Sequence, residues 1–236
     1  MIPLKTTLRS LSLAAALAVA PFITSAAEPN TLTSAEAAAG WKLLFDGKTL
    51  DGWRGFATDG TPTNWKVENG ALVWVARGGD LVTKEMFGDF ELSLEWKVAK
   101  GANSGIIYRS GLGEKAPWHT GPEYQILDNI DGADNKIESH RAGSLYDLIA
   151  AGPDVPKPVG EWNLAKVVVK GWRVEHWLNG KKLLEADLAS PEGKAMIAGS
   201  KFKPQAKFAT LTEGHIVLQD HGDVVYYRSL KVRALK

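Results

Sequence analysis

The sequence predicts an all-β protein of the two-sheet sandwich or jelly-roll class, folded as one domain. Three observations carry this. From Trp41 onward, apolar and polar residues alternate with period two in many short segments, the pattern of strands with one buried face. The segments recur at intervals of about ten residues with Gly and Pro between them, as in sandwiches and jelly rolls. Long segments of helical period are absent after residue 27.

The 236 residues, 44% hydrophobic and 23% charged, suffice for one sizeable core. No internal repeat, low-complexity tract or linker interrupts them, so a single domain is expected over about 38–236. Net charge is +1, and Lys5 and Arg9 supply two of the bases, so the rest of the chain carries −1. A near-neutral chain without a basic run offers nothing to nucleic acid or an anionic membrane. The oligomeric state is left unassigned.

Residues 1–27 read as a signal peptide. Lys5 and Arg9 form a basic start, Leu11 to Ile23 an apolar run, and Ser25-Ala26-Ala27 a small-residue cleavage site. The run is short for a membrane span. A periplasmic or extracellular location, with no membrane attachment after cleavage, is the expectation. With no cysteine in the chain, an exported domain must rest on its core rather than on disulfides.

Strands follow in order. Trp41–Phe45 precedes the turn Asp46-Gly47, and Asp51-Gly52 precedes Trp53. Asn64–Glu68 and Ala71–Val75 form a hairpin around Asn69-Gly70, a dipeptide that accepts the positive φ values of tight turns. Phe90 to Val98 sends Phe90, Leu92, Leu94 and Trp96 inward. Asn103–Arg109, Gly121–Asn129, Ser144–Leu148, Asn163–Val169 and Arg173–Leu178 are further strands, the last turning at Asn179-Gly180 into Lys182–Ala186. Ser190-Pro191-Glu192 spells a helix start, with Ser as N-cap and Pro in the first turn, so one short helix is expected over 190–199. Ile216–Gln219 and Val224–Val232 close the fold. Of nine tryptophans, Trp41, Trp65, Trp74 and Trp96 fall on apolar stripes and read as core. Trp118 and Trp162 lie in loop-like sequence, where either could stack on a sugar ring.

The segment with most chemical content is Gly121–Asn129. Tyr124 and Ile126 share one strand face, Glu123 and Gln125 the other. A second such segment is Ile216–Gly222, where Gln219 and His221 share a face if the strand reaches that far. Were both in one sheet, Glu123, Gln125, Gln219 and His221 would converge, giving two proton carriers and two amides. Arg109 could pair with a carboxylate such as Glu95 or stabilise an oxyanion. His119 and His140 lie in polar loops and are expected in solvent; His176, in a hairpin strand, is expected to pack across strands. No paired His spacing and no cysteine supports zinc. Asp46, Asp51, Asp131 and Asp134 could supply oxygens to calcium, but no EF-hand pattern is present. No phosphate loop or Gly-x-Ser-x-Gly elbow occurs.

The ordered set Leu44-Phe45-Asp46-Gly47, Leu50-Asp51-Gly52-Trp53, Phe90-Glu91-Leu92, Asn103-Ser104-Gly105 with Arg109, Glu123-Tyr124-Gln125-Ile126-Leu127-Asp128, Leu145-Tyr146-Asp147, Glu161-Trp162-Asn163, His176-Trp177-Leu178-Asn179-Gly180 and Leu218-Gln219-Asp220-His221-Gly222 resembles the 3-keto-disaccharide hydrolase family over about 40–234. The resemblance implies a concanavalin A-like jelly roll with a sugar site on one sheet. It also implies cleavage of glycosides oxidised to a ketone at C3, by C2 proton abstraction, β-elimination of the C1 substituent and rehydration. On that reading Glu123, His221 and Arg109 are the catalytic candidates, and Gln125, Gln219, Glu95, Trp162 and Trp118 the substrate-binding ones. No cofactor is required by the sequence, although a divalent cation could take the place of Arg109 as electrophile. Two alternatives stay open. A conventional glycosidase on this fold would need paired carboxylates, yet Glu123 and Asp128 fall on opposite strand faces. A non-catalytic carbohydrate-binding module would need only the aromatic platform.

Overall fold

In the computed structural model, which describes residues 28–152 and 156–236, the alternating segments become strands. In chain order they are β1 (Lys42–Leu43), β2 (Trp53–Gly55), β3 (Trp65–Glu68), β4 (Ala71–Trp74), β5 (Leu81–Thr83), β6 (Phe90–Val98), β7 (Asn103–Ser110), β8 (Glu123–Leu127), β9 (Asn163–Lys170), β10 (Arg173–Leu178), β11 (Lys181–Asp187), β12 (His215–Leu218) and β13 (Val225–Ala234). The larger sheet runs β11–β10–β9–β6–β13–β4–β3, with β1 added on β13; the smaller runs β2–β5–β12–β7–β8. All pairings are antiparallel. This is the two-sheet, mostly β architecture that the alternation predicts. The expected signal peptide lies outside the described residues.

The core fills the space between the sheets. Phe90, Leu92, Leu94 and Trp96 of β6 meet Ile106 and Tyr108 of β7, Tyr124 and Ile126 of β8, and Ile216 and Leu218 of β12 in one buried cluster. Burying each such side chain stabilises the fold by about 1.5–3 kcal/mol. His176 of β10 is wholly enclosed there. Its Nδ1 donates to the Gly143 carbonyl at 3.0 Å, its Nε2 takes the Tyr108 hydroxyl at 3.1 Å, and burial holds it neutral with a pKa near 4.

Both expected hairpin turns form, with φ of 52° and 74° at Asn69 and Gly70 and of 50° and 86° at Asn179 and Gly180. Helix α2 (Pro191–Gly199) begins where the capping signal lies, with Ser190 Oγ accepting from Gly193 N at 3.0 Å. A one-turn helix α1 (Ser34–Ala38) precedes the sheets, held by a Thr33–Glu36 capping box readable as Thr33-Ser34-Ala35-Glu36.

Three expectations need correction. Ser144–Leu148 is a loop that runs beside β8, with Gln125 N donating to the Ser144 carbonyl at 3.1 Å and Tyr146 N to the Glu123 carbonyl at 3.0 Å, and positive φ at Gly143 and Asp147 breaks the extended run. Trp41 precedes β1 and lies half-buried beneath Lys231 and Arg233 instead of in the core. His140 is buried: its Nε2 lies 3.0 Å from Asp147, its Nδ1 3.1 Å from Asp134, and its ring stacks on Tyr146.

Candidate active site

Alternation along β8 sends Tyr124 and Ile126 into the core and leaves Glu123 and Gln125 on the outer face of the smaller sheet. That face is roofed by loops, so both side chains are nevertheless almost fully buried. They line a cavity of about 300 Å³ that Gln219, Asp220 and His221 enter from the end of β12. The two polar segments singled out in the sequence therefore share one hollow. The strand itself stops at Leu218; Gln219 N donates to the Gly105 carbonyl at 3.0 Å, and the chain turns away.

Glu123 lies flat across β7. Its neighbour in register is Ile107, and Gln125 faces Gly105. A Cβ built on Gly105 would stand 2.0 Å from Glu123 Oε1, so the glycine makes room for the carboxylate. No donor among the described residues hydrogen-bonds that carboxylate. Burial pushes its pKa well above the ordinary carboxylate range, Lys201 opposes the shift, and Asp80 and Asp134 add to it. Gly105→Ala is expected to displace Glu123 and cut kcat by about tenfold or more while the protein still folds. Paired kinetics and thermal unfolding check it; unchanged kcat would show that the carboxylate position is irrelevant.

The carboxylate of Asp220 accepts from Gly78 N and Gly79 N at 2.8 Å, Trp74 Nε1 at 2.7 Å, Asn64 Nδ2 at 3.1 Å and Gly222 N at 3.0 Å. It pins the loop before β5 against the loop after β12 and so sets where His221 stands, exposed at the cavity edge. Asp80, also in the lining, accepts Asp220 N on Oδ1 at 2.8 Å. Burial, with the Asp220 charge beside it, raises its pKa to about 6. Gln125 Nε2 donates to Asn103 Oδ1 at 3.0 Å, whereas Gln125 Oε1 and Gln219 Oε1 are buried without a partner among the described residues. An unmet buried acceptor costs about 1–3 kcal/mol, so both oxygens suit substrate hydroxyls.

Trp118, in the 3-10 turn Pro117–His119, lines the cavity as the sequence suggests. Trp162 does not. It lies on the outer face of the larger sheet with Tyr226, under Arg228 (4.2 Å) and Lys97 (4.9 Å). Glu95 is there too, bound to Arg228 at 2.9 and 3.1 Å and to Ser229 Oγ at 3.0 Å, so it pairs with neither Arg109 nor the cavity.

Arg109 is likewise outside the cavity. Tyr108 and Arg109 together oppose Ile216 at a β-bulge, with Arg109 at φ 50°, which re-aims its side chain. The guanidinium is consumed by the Gly88 carbonyl at 3.0 and 2.9 Å, the Gly171 carbonyl at 2.6 Å and Asp89 at 2.7 Å. It clasps the two sheets at one end and is not free to act as an electrophile.

The sequence reading missed Asp80, Asn103, Tyr146 and Lys201 as lining residues. Asn103 and Tyr146 stand inside motifs already singled out; Asp80 follows Gly78-Gly79, a turn signal; Lys201 carries no local signal. Among the described residues no three His, Asp or Glu side chains converge as a metal site. Asp128, the other carboxylate of the β8 segment, is spent on Gly101 N at 2.8 Å and Ile130 N at 3.0 Å.

A jelly-roll β-sandwich whose smaller sheet and surrounding loops bring carboxylates, free amide oxygens and a tryptophan into one hollow of about 300 Å³ has the site chemistry of an enzyme acting on a polar, hydroxyl-bearing ligand. Comparison with known proteins carries this further. The profile of the 3-keto-alpha-glucoside-1,2-lyase-like domain matches residues 40–233. A 3-keto-disaccharide hydrolase of Bacteroides thetaiotaomicron is 37% identical, over 89% of this chain and 83% of its own length. Two solved structures from Parabacteroides distasonis, each named as a candidate glycosyl hydrolase, superpose with TM-scores of 0.83 and 0.68 at 33% and 29% identity. They cover 89% and 83% of this chain and 100% and 99% of theirs. The chain belongs to the 3-keto-disaccharide hydrolase family and is a glycoside-cleaving hydrolase.

Proposed function

We propose that the enzyme cleaves 3-keto glycosides by elimination and rehydration. Glu123 takes the C2 proton, which the neighbouring C3 ketone makes acidic, and the electron pair moves into an enediolate. The pair then returns, the C1–O bond breaks, and His221 protonates the departing oxygen. Water adds to C1 of the resulting enone, with His221 now accepting its proton, and Glu123 gives the C2 proton back. Net hydrolysis results. Gln125 Oε1 and Gln219 Oε1 hold sugar hydroxyls, and Trp118 forms the rim.

The observation that carries this reading is Glu123 itself: buried, without a hydrogen-bond partner among the described residues, with a raised pKa, in the same cavity as His221. Such a carboxylate is a stronger base than an exposed one once deprotonated. A divalent cation, if bound, would polarise the C3 ketone; Glu123 and the two unmet amide oxygens have the donor chemistry to hold one. The sequence of residues 1–27 supports export to the periplasm or beyond.

One observation favours a second reading. Asp80, in the loop before β5, and Glu123 of β8 face the same cavity, giving a conventional glycosidase the two carboxylates it needs. Turnover of matched 3-keto and unoxidised glycosides in deuterated water separates the two. The elimination route predicts turnover of the keto set alone, with deuterium entering C2 of the product. Turnover of the unoxidised set without C2 labelling would replace it with the second reading.

A further inference from the structure

The elimination route leaves one need unmet, since Arg109 is committed elsewhere: something positive must face O3 as the enediolate forms. We propose that Lys201 is that catalytic residue, an ammonium held over an aromatic floor to stabilise charge on the C3 oxygen. This deepens the elimination reading and rests on it.

Among the described residues lining the cavity, Lys201 alone carries an ammonium or guanidinium group. It forms no ion pair among the described residues, whereas Arg109, the cation that the sequence suggests for the site, is bound to Asp89. Its nitrogen lies 3.9 Å from the centre of the Tyr146 ring, 5.2 Å from Phe202 and 5.4 Å from Trp118. Aromatic faces hold a cation without neutralising it; burial lowers the pKa of the ammonium, and the charges of Glu123, Asp147 and Asp134 oppose that shift.

The mounting is built from both ends. Lys201 N donates to Asp147 Oδ2 at 2.8 Å, and Asp147 Oδ1 lies 3.0 Å from His140 Nε2. His140 stacks on the Tyr146 ring, 4.2 Å between centres and 22° apart, and Tyr146 donates its hydroxyl to Asp134 at 2.9 Å. Tyr146 N is tied to the Glu123 carbonyl at 3.0 Å. The floor under the ammonium is thus fixed to the strand that carries the base. Lys201 and Glu123 line the same cavity, and the ammonium is the leading favourable influence on the charge of the carboxylate.

The chemistry uses this arrangement twice. The C2–H bond breaks, its proton goes to Glu123, and the electron pair moves through C2–C3 onto O3 beside Lys201. When that pair returns, C1=C2 forms and the leaving oxygen departs. Addition of water to C1 regenerates the same O3 anion, which collapses as Glu123 reprotonates C2. Both halves therefore depend on one cation.

The test compares wild type, Lys201→Ala and Lys201→Arg on 4-nitrophenyl 3-keto-glucopyranosides, with hydrogen or deuterium at C2. Lys201→Ala is expected to lose about a hundred- to a thousandfold in kcat with KM changed only a few-fold, the loss typical of one oxyanion-stabilising donor. Its C2 deuterium effect should rise, Lys201→Arg should recover part of the rate, and added methylammonium should rescue the alanine variant. Unchanged kcat in Lys201→Ala, or a defect in KM alone, would overturn the proposal. So would abolition of wild-type turnover by a chelator with restoration of Lys201→Ala by excess divalent metal, which would give the electrophile's role to a cation. Failure of the wild type to cleave keto substrates would instead remove the elimination reading.

Discussion

Glu123→Gln is expected to lower kcat on 3-keto glycosides by about a hundred- to ten-thousandfold, the usual contribution of a positioned base, while the protein stays folded. The change is isosteric and touches no hydrogen bond within the described protein, so geometry should persist. The pH profile supplies a sharper readout. Only deprotonated Glu123 accepts the C2 proton, and burial raises its pKa. Wild-type kcat/KM should therefore climb with pH through a value above the ordinary carboxylate range, and the residual activity of the variant should lack that limb. Stability should move the opposite way. A carboxyl whose folded pKa exceeds its ordinary value of 4.5 binds more protons folded than unfolded. Wild-type stability thus falls as pH rises from that value through the raised one. Glu123→Gln should flatten this part of the curve and be more stable than wild type at alkaline pH. Coincident stability curves, with catalysis intact, would remove Glu123 from both roles.

Asp220→Ala is expected to have the largest effect on stability. Five donors converge on this one carboxylate, from Asn64, Trp74, Gly78, Gly79 and Gly222. Truncation leaves them unpaired, and some can turn to water, so a loss of about 2–4 kcal/mol follows. For a domain of this size that lowers Tm by on the order of 10 °C. Activity measured well below the transition should fall as well, because the loop carrying Asp80 and the loop carrying His221 are joined through this residue. Asp220→Asn, which keeps one accepting oxygen, should lie between. A Tm within about 1 °C of wild type would mean that the donors find other partners.

Much of this protein was legible before its coordinates. Both Asn-Gly hairpins, the inward row of β6, the capped helix at Ser190 and the split of β8 into a core pair and a polar pair all follow from local rules. Side-chain direction alternates along a strand, and a turn dipeptide needs only its own φ angles. For the same reason Glu123, Gln125, Gln219 and His221 could be picked out from their segments as candidates, and Trp118 from its loop, and all five line the one cavity. Arg109, Glu95 and Trp162 were misplaced because alternation identifies an outward face without saying which sheet owns it or what covers it. The bulge at Tyr108–Arg109 carries no mark in the sequence, yet it decides where the guanidinium goes.

The amino-acid order alone determined the β architecture, the turns and which side chains leave the core, since those are set by interactions within a few residues. The folded arrangement decided which outward residues meet: Glu123 with His221 and Asp80, Lys201 over Tyr146, Arg109 with Asp89. Those meetings join residues far apart in the chain. Charge attraction and hydrogen bonding act on distance in space, which the pairing of strands and the path of the loops create.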